Sequence, residues 1–588
     1  MKLPILSKRV TMNLKTEQKF SWPWEQSYPE NVSWHEHLPT GPLYEILEKS
    51  VLKYGTHPCV EFMGKEYTYN EIGHLVQKAA KGLQEIGVKK GTKVGIFLPN
   101  TPYSVIFYYA TLRIGGVVVN FSPLYVQREI IPQINDSETE VLVTLDLKTL
   151  FDKVSDLRGS THLKKIVVCS MGDILPFAKS LAFKALHFGD IAKFTPSDSL
   201  IPCRKIFDND GKFTEVPVSD KDIAVLQYTG GTTGIPKGAM LTHSNLYANT
   251  VQCELWCGKL ALGQERMLGI LPLFHVFAMT AVMNVALRIG AEIILMPRFE
   301  LKSLLKLIHQ KRPTVFPAVP TIFTAINHSK SLDNYDLSSL KLCISGGAPL
   351  PVSVKRTFEA KTGCSLVEGY GLSETSPIAT ANPFFGINKE GSIGIPVPGT
   401  IIEIRDPEHP DKALPIGEKG EICVRGPQVM AGYWKRDDET KLCLRNGLLY
   451  TGDIGYMDEE GYVFVVDRIK DVVICGGFNV YPRQVEEVIL LHPSVQETTV
   501  IGVPDEYRGQ TVKAFVIVKP GEKATTDDIF SFLKDKLSPI EMPKHIEFRD
   551  ELPKTMVGKH SKKELVAEEM AKYNKLKAEE AEKTPISS

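Results

Sequence analysis

The chain contains 588 residues, of which 43% are hydrophobic and 23% are charged, the balance of a soluble globular protein with more than one domain. Its basic and acidic residues both number 69, so the net charge is zero and no overall positive field favours binding to nucleic acid. The ten cysteines are scattered without the paired spacing of a zinc site, so we expect free thiols in a reducing, cytoplasmic compartment.

Residues 1–40 form an N-terminal extension that carries lysines but no apolar stretch of signal-peptide length. Farther along, residues 94–112 and 267–287 contain no Asp, Glu, Lys or Arg, a property they share with transmembrane helices. Each run contains proline or polar residues and divides into a strand, a turn and a helix. We therefore favour strands that are buried on both faces of a sheet.

Short β-branched runs alternate with helical ones from residue 93 onward, an order that predicts largely parallel sheets covered by helices. From about residue 391 the pattern changes to short strands and turns, which predicts a small β-rich subdomain. A compact α+β unit follows. The predicted fold is α/β, with a large N-terminal domain (residues 41–466, of which 391–466 are β-rich), a smaller α+β C-terminal domain (467–561) and a charged tail (562–588) that we expect to be a solvated helix.

Residues 177–188 have the pattern of a basic amphipathic helix. Phe177, Leu181, Ala182, Ala185 and Phe188 would form one broad apolar face, although Phe183 departs from the pattern. Such a helix can lie in the interface of a bilayer, on the inner face of a membrane. We favour the alternative, in which the face packs against its own domain.

The strongest chemical signal is the sequence YTGGTTGIPKG at residues 228–238, which follows a predicted strand. Glycines let backbone amides turn inward around an anion, threonines add hydroxyl donors and a lysine adds charge. The motif is not that of kinases and GTPases, because Pro236 precedes Lys237 and Gly238 follows it. It predicts a polyphosphate-binding loop formed by Thr229, Gly230, Gly231, Thr232, Thr233, Gly234 and Lys237.

This loop, TGGTTGIPKGAM, resembles the phosphate loop of the adenylate-forming superfamily, which contains acyl-CoA synthetases, adenylation domains of peptide synthetases and luciferases. Six other motifs occur in the order of that family. They are SGGAPL (345–350), EGYGLSETSP (368–377), YTGD (450–453), DRIKD (467–471), GGFNVYP (476–482) and LPKTMVGK (552–559). The resemblance spans about residues 40 to 560.

The resemblance implies ATP and coenzyme A as co-substrates, Mg²⁺ as cofactor, and a role for each matching residue. Glu374 matches the magnesium-associated glutamate, whose hard oxygens suit a cation that bridges phosphates. Asp453 and Arg468 match the residues that hold the ribose hydroxyls, although a salt bridge between domains would use the same pair. The remaining nucleotide residues are Gly346, Gly347, Ala348, Tyr370, Gly371 and Ser373, with Tyr370 expected beside adenine.

In the same comparison, Asp467 matches the hinge about which the C-terminal domain reorients between two half-reactions. Lys559 matches the lysine that contacts both the substrate carboxylate and the α-phosphate, where an ammonium lowers the repulsion between two anions. After reorientation, Gly476, Gly477 and Phe478 would line the entry for coenzyme A.

The acyl substrate is inferred from residues 271–287, which match the acyl pocket and contain no carboxylate that could pair with an amino group. His275, Val276, Ala278 and Met279 are the expected acyl-binding residues, although the segment could equally be core. The motifs most resemble bacterial long-chain fatty acid–CoA ligases. Aromatic or dicarboxylic acids, a luciferase-like oxygenation and a non-catalytic fatty-acid-binding protein remain as alternatives. We expect no carrier-protein module.

Overall fold

The structure is a computed structural model that describes residues 22–229, 236–476, 478–554 and 561–583, the last six of these as backbone only. Two sheets with mainly parallel strands form the large domain. The nine-stranded sheet has the order Ile395–Pro396, Ile378–Ala381, Leu366–Gly371, Leu342–Ser345, Val315–Ala318, Arg266–Gly269, Glu292–Leu295, Pro58–Phe62 and Lys65–Thr68, and its edge strands are antiparallel. The seven-stranded sheet has the order Leu200–Pro202, Lys165–Cys169, Val141–Leu145, Lys93–Ile96, Val117–Asn120, Ile223–Thr229 and Lys237–Thr242, and only the last pair is antiparallel.

Helices cover these sheets because apolar side chains of both are removed from water when they pack together. Their starts follow local rules: Thr68 and Glu71 form a capping box for Tyr69–Glu85, and Pro102 occupies the first turn of Pro102–Arg113. The other α-helices of this domain are Glu45–Tyr54, Gln127–Ser137, Lys148–Phe151, Phe177–Leu186, Cys203–Phe207, His243–Trp256, Val276–Ala278, Val285–Ile289, Leu301–Lys311, Pro320–Asn327, Val352–Thr362 and Asp437–Cys443.

Two sheets follow in the chain, the first antiparallel and the second mainly so, with His545–Phe548 pairing in parallel. The β-rich sheet contains Ile401–Arg405, Gly420–Arg425, Leu444–Arg445, Leu448–Met457 and Val463–Arg468. The C-terminal sheet contains Val473–Cys475, Phe478–Val480, Val495–Asp505, Gly509–Val518 and His545–Phe548, covered by helices Pro482–Ile489 and Thr526–Leu533. One hydrophobic core runs from Trp24 to Val463, and a separate core begins at Val473. The predicted α/β fold class is confirmed.

The two uncharged runs are strand–turn–helix units, as predicted. Residues 94–112 supply the strand Lys93–Ile96 and the helix Pro102–Arg113, and nearly all of their side chains are buried. Across the described ranges, none of the helices combines the length and the apolar character that a membrane crossing needs.

Two predictions about single helices need correction. The face of Phe177–Leu186 does not pack against its own domain, because the helix has no buried residue and only Phe183 contacts the core. The tail forms the helix Lys562–Lys583, but one side of its first turn is buried against the C-terminal domain. Leu565 is buried in a small core with Phe515, and the Lys562 ammonium lies 3.0 Å from the Glu486 carboxylate.

Candidate active site

Tyr433 brings Glu374 and Lys237 together. Glu374 lies in a 3₁₀ turn, Ser373–Thr375, which follows the strand Leu366–Gly371. Its Oε1 accepts a 2.7 Å hydrogen bond from the Tyr433 hydroxyl. The Lys237 ammonium lies 5.4 Å from the centroid of the same ring and is paired with the Glu439 carboxylate. A hard carboxylate for a cation and an ammonium for phosphates therefore share one aromatic side chain.

The strands that flank the predicted phosphate loop are fixed at its base. Thr229 is paired directly with Lys237 across the antiparallel strands. The preceding residue, Tyr228, donates a 2.6 Å hydrogen bond to Asp136, which also accepts one of 2.7 Å from Arg436. The loop residues Gly230, Gly231, Thr232, Thr233 and Gly234 lie outside the described residues.

The buried carboxylate of Asp453 is the centre of a polar cluster at the predicted ribose position. Its Oδ2 accepts a 2.6 Å hydrogen bond from the Tyr370 hydroxyl, and its Oδ1 lies 2.9 Å from Nε of Arg468. Asp453 and Arg468 pair across two strands of the β-rich sheet, so their salt bridge lies within that sheet. Burial, followed by the Asp453 carboxylate, raises the pKa of Tyr370, which therefore stays a neutral donor. A carboxylate has about four lone-pair positions, so acceptor capacity remains for sugar hydroxyls.

Three glycines at the predicted nucleotide position are required by the local backbone or by their neighbours. Gly347 has a φ of +83°, which favours glycine, and a Cβ on Gly346 would lie 3.1 Å from the ring of Phe277. A Cβ on Gly371 would collide with the carbonyl oxygen of Pro377. Gly346, Gly347 and Ala348 follow the strand Leu342–Ser345, and Ser373 begins the turn that carries Glu374.

The predicted acyl-binding residues lie on a buried wall that touches this turn. His275 caps the helix Val276–Ala278, and Met279 begins a π-helical stretch, Met279–Asn284. Such stretches occur frequently at functional sites. Val276, Ala278 and Met279 are buried, so the wall belongs to the core. The Thr280 hydroxyl donates a 2.6 Å hydrogen bond to the carbonyl of Ser376, two residues after Glu374.

Asp467 connects the two domains through its side chain. Its Oδ1 accepts from the amide of Arg468 and its Oδ2 from the amide of Arg483, both at 2.8 Å. Gly476 has a φ of +58° and Phe478 is 61% exposed. Gly477 and Lys559 lie outside the described residues.

The donor set at Glu374 fits Mg²⁺. The part of the chain that the structure describes has no cluster of three His, Cys, Asp or Glu side chains arranged to hold a metal ion by themselves. Mg²⁺ is commonly held by one or two carboxylates together with substrate phosphates. A single carboxylate, Glu374, beside Lys237, which is predicted to bind phosphates, agrees with that pattern.

Sequence analysis missed three residues that complete this arrangement. Tyr433, Glu439 and Asp136 contact Glu374, Lys237 and Tyr228 respectively, from positions far away in the chain. Tyr433 and Glu439 belong to a stretch, GYWKRDDE at 432–439, that carries no recognisable chemical motif. Only the fold shows these contacts.

Comparison with known proteins decides the family. The model of the AMP-binding enzyme family matches residues 47–434, and that of the AMP-binding enzyme C-terminal domain matches residues 484–559. The chain belongs to the AMP-binding enzyme family. The resemblance to adenylate-forming enzymes is therefore confirmed.

Individual relatives agree with this assignment over nearly the whole chain. The long-chain-fatty-acid–CoA ligase of Bacillus subtilis is 45% identical over 559 residues, which is 94% of this chain and 99% of that protein. The ligase of the same name from Escherichia coli O6:H1 is 38% identical over 90% of this chain and 95% of its own length. The crystal structure of the anthranilate CoA ligase AuaEII with anthranoyl-AMP superposes with a TM-score of 0.81 at 26% identity, over 92% of this chain and 99% of that one.

Proposed function

We propose that this chain is an AMP-forming long-chain fatty acid–CoA ligase that uses Mg²⁺. The observation that carries the proposal is the junction between Thr280 and Ser376. There, an apolar wall without a carboxylate meets the turn of Glu374, beside Lys237. Two relatives that this chain matches over 90% of its length or more are named long-chain-fatty-acid–CoA ligases.

In the first half-reaction, a carboxylate oxygen of the acid attacks the α-phosphorus of ATP, the bond to the bridging oxygen breaks, and pyrophosphate leaves. Lys237 and the loop from Thr229 to Gly234 hold the phosphates. Lys559 contacts the carboxylate and the α-phosphate, where its charge favours the transition state. Glu374 would hold Mg²⁺, which neutralises phosphate charge when bound.

Asp453 and Arg468 fix the ribose, and Tyr370 keeps the Asp453 carboxylate in place through its hydroxyl. In the second half-reaction, the sulfur of coenzyme A attacks the acyl carbon, the bond between that carbon and the AMP oxygen breaks, and AMP leaves. For this step we propose rotation about Asp467, which brings Gly476, Gly477 and Phe478 to the site. The separate core of the C-terminal domain supports movement as one body.

A panel of acids tests the substrate assignment. AMP release is measured with coenzyme A and acetate, octanoate, palmitate, oleate, adipate or coumarate. We expect the highest kcat/KM with the long-chain acids, because an apolar wall gains binding from each methylene group. Higher values with coumarate or adipate would overturn the long-chain assignment. Oxygen consumption with an acyl substrate would instead favour a luciferase-like reaction.

For the location, we propose the cytoplasm, with peripheral contact to the inner face of a membrane through residues 177–188. ATP and coenzyme A are cytoplasmic substrates, and a long-chain acid partitions into bilayers. The exposed apolar side chains of this segment support the contact.

A further inference from the structure

The helix Phe177–Leu186, which we call the exposed helix, presents an unusual amount of apolar surface to solvent. Phe177 is 88% exposed, Leu181 64%, Leu186 80% and Phe188, just beyond the helix, 63%. Phe177 and Leu181 lie one turn apart on the same face of the helix, and we call these two residues, together with Phe188, the apolar patch; Leu186 lies on the opposite side of the helix. Three alanines of the same helix are also exposed. Isolated exposed apolar residues are common on protein surfaces, but clustered ones indicate an interaction site.

The exposed helix is fixed on the domain in spite of this exposure. Phe183 packs against the large hydrophobic core, and the ammonium of Lys179 donates a 2.7 Å hydrogen bond to the carbonyl of Met63. The ammonium of Lys65 binds the carbonyl of Asp173, in the turn before the helix, at 2.7 Å. The apolar patch is therefore a constant feature of the folded domain.

Lysines surround the patch. Lys179 and Lys184 lie on the exposed helix, which carries no carboxylate, and the Lys193 ammonium lies 4.6 Å from the centroid of the Phe188 ring. Lys184, Phe188 and Lys193 also line one cavity of about 310 Å³. Two acids of this region are engaged: Asp190 pairs with His187 at 2.9 Å, and Asp146, in the same cavity, accepts the amide of Met171 at 2.9 Å.

We propose that the apolar patch and its lysines dock the protein on an anionic phospholipid bilayer. Phenylalanine and leucine side chains enter the boundary between headgroups and acyl chains, while the lysine ammonium groups are attracted to the negatively charged surface. A surface that combines exposed apolar side chains with ammonium groups fits an anionic lipid surface better than a second copy of this chain, since two copies would bring their lysines together. The docking rests on the proposed function in one respect: it places the enzyme where a long-chain acid dissolves.

Flotation with vesicles tests the docking directly. Full-length protein is mixed with vesicles of phosphatidylcholine alone, or with about one-third phosphatidylglycerol, at low and high salt. We expect the wild type to bind the anionic vesicles. Phe177→Ser/Leu181→Ser should lose about tenfold or more in partitioning on both kinds of vesicle. Lys179→Gln/Lys184→Gln should lose the preference for phosphatidylglycerol and the dependence on salt.

Leu52→Ser is the matched control, since Leu52 is a single leucine that is 88% exposed on another helix of the same domain. It should float like the wild type. The proposal would be overturned if the wild type failed to bind anionic vesicles, or if the patch variant bound them equally well. It would also be overturned if the wild type sedimented as a dimer and the patch variant as a monomer, because the patch would then be an interface between two copies of the chain.

Activity measurements separate the docking from the proposed function. The patch variant should turn over dissolved octanoate at the wild-type rate but lose rate with oleate supplied in anionic vesicles. Equal loss with both acids would show a folding defect and contradict the docking role. Vesicle binding without AMP release from any long-chain acid would support docking and refute the proposed substrate.

Discussion

The two domains present their candidate site residues in different ways. In the large domain and in the strand Val463–Arg468 of the β-rich sheet, which extends just past the predicted boundary, Glu374, Tyr370, Asp453 and Arg468 are held by hydrogen bonds and an ion pair between 2.6 and 2.9 Å. In the C-terminal domain, Phe478 is exposed. This difference agrees with the proposal that the nucleotide half of the site is preorganised and that the C-terminal domain delivers its groups by movement.

The connection between the domains agrees with that division. The main hydrophobic cores of the two domains are separate. Asp467 joins the β-rich sheet to the helix Pro482–Ile489 by accepting hydrogen bonds from the backbone amides of Arg468 and Arg483. We therefore expect a substitution in one part of the site to slow one half-reaction and to leave the other close to the wild-type rate.

The largest effect is expected for Lys559→Ala. Formation of acyl-AMP should slow by about 10² to 10³, the usual scale for one charge-stabilising group, because two anions must then meet without the ammonium. Thioester formation from preformed acyl-AMP should stay close to the wild-type rate. Single-turnover kinetics of each half-reaction measure both values. Lys554→Ala is the control, since Lys554 pairs with Glu497 at 2.8 Å and its loss should change neither step. Equal losses in the two steps would break the comparison.

Glu374→Gln should impair adenylation by about 10² with every acid, because the loss concerns the metal and the phosphates. The dependence of the rate on Mg²⁺ concentration should shift upward as well. Tyr433→Phe removes only the hydroxyl that holds the carboxylate, so the same shift should be smaller. Rates with octanoate and oleate over a Mg²⁺ series provide the test. A loss that differs strongly between the two acids would place Glu374 in the acyl pocket.

Ala281→Phe should change acyl selectivity by about tenfold in favour of shorter acids, since the buried π-helical wall has little room for a phenyl ring. Phe478→Ala, in the C-terminal domain, should instead raise the KM for coenzyme A to the same extent with all acids. The ratio of kcat/KM for octanoate and palmitate distinguishes the two variants. If Ala281→Phe slows both acids equally, the segment belongs to the hydrophobic core and does not line the acyl pocket.

The smallest effect is a change in stability where the domains approach each other. Burial raises the pKa of Glu368 to about 7, although the Arg483 guanidinium partly opposes this rise. Because the folded pKa exceeds the ordinary value of 4.5, the contribution to stability is complete below about pH 4.5 and is lost as the pH rises through 7.

Glu368→Gln keeps an acceptor for the amide of Leu350 and removes the buried charge. Its unfolding temperature should exceed that of the wild type by about 2–4 °C near pH 8.5, and the difference should shrink toward pH 5. Thermal unfolding across this pH range measures the difference. A constant difference would contradict the assignment of the pKa.

The sequence by itself determined the fold class, the order of the motifs and the family, because each of these depends on residue types at short spacing. The alternation of strands and helices predicted parallel sheets, and the glycine, threonine and lysine pattern predicted the phosphate loop. Asp453 and Arg468 were predicted as a pair, and the antiparallel strands do bring them together. The roles of these residues remain predictions.

Only the tertiary structure decided which apolar segments are buried and which distant residues meet. Residues 177–188 and 267–287 are both rich in apolar side chains, but one is exposed and the other lies in the core. The tail helix was expected in solvent, yet its Leu565 is buried and its Lys562 pairs with Glu486. Tyr433 reaches Glu374 from 59 positions away. Burial and such contacts depend on how sheets and helices stack, which patterns over a few residues do not specify.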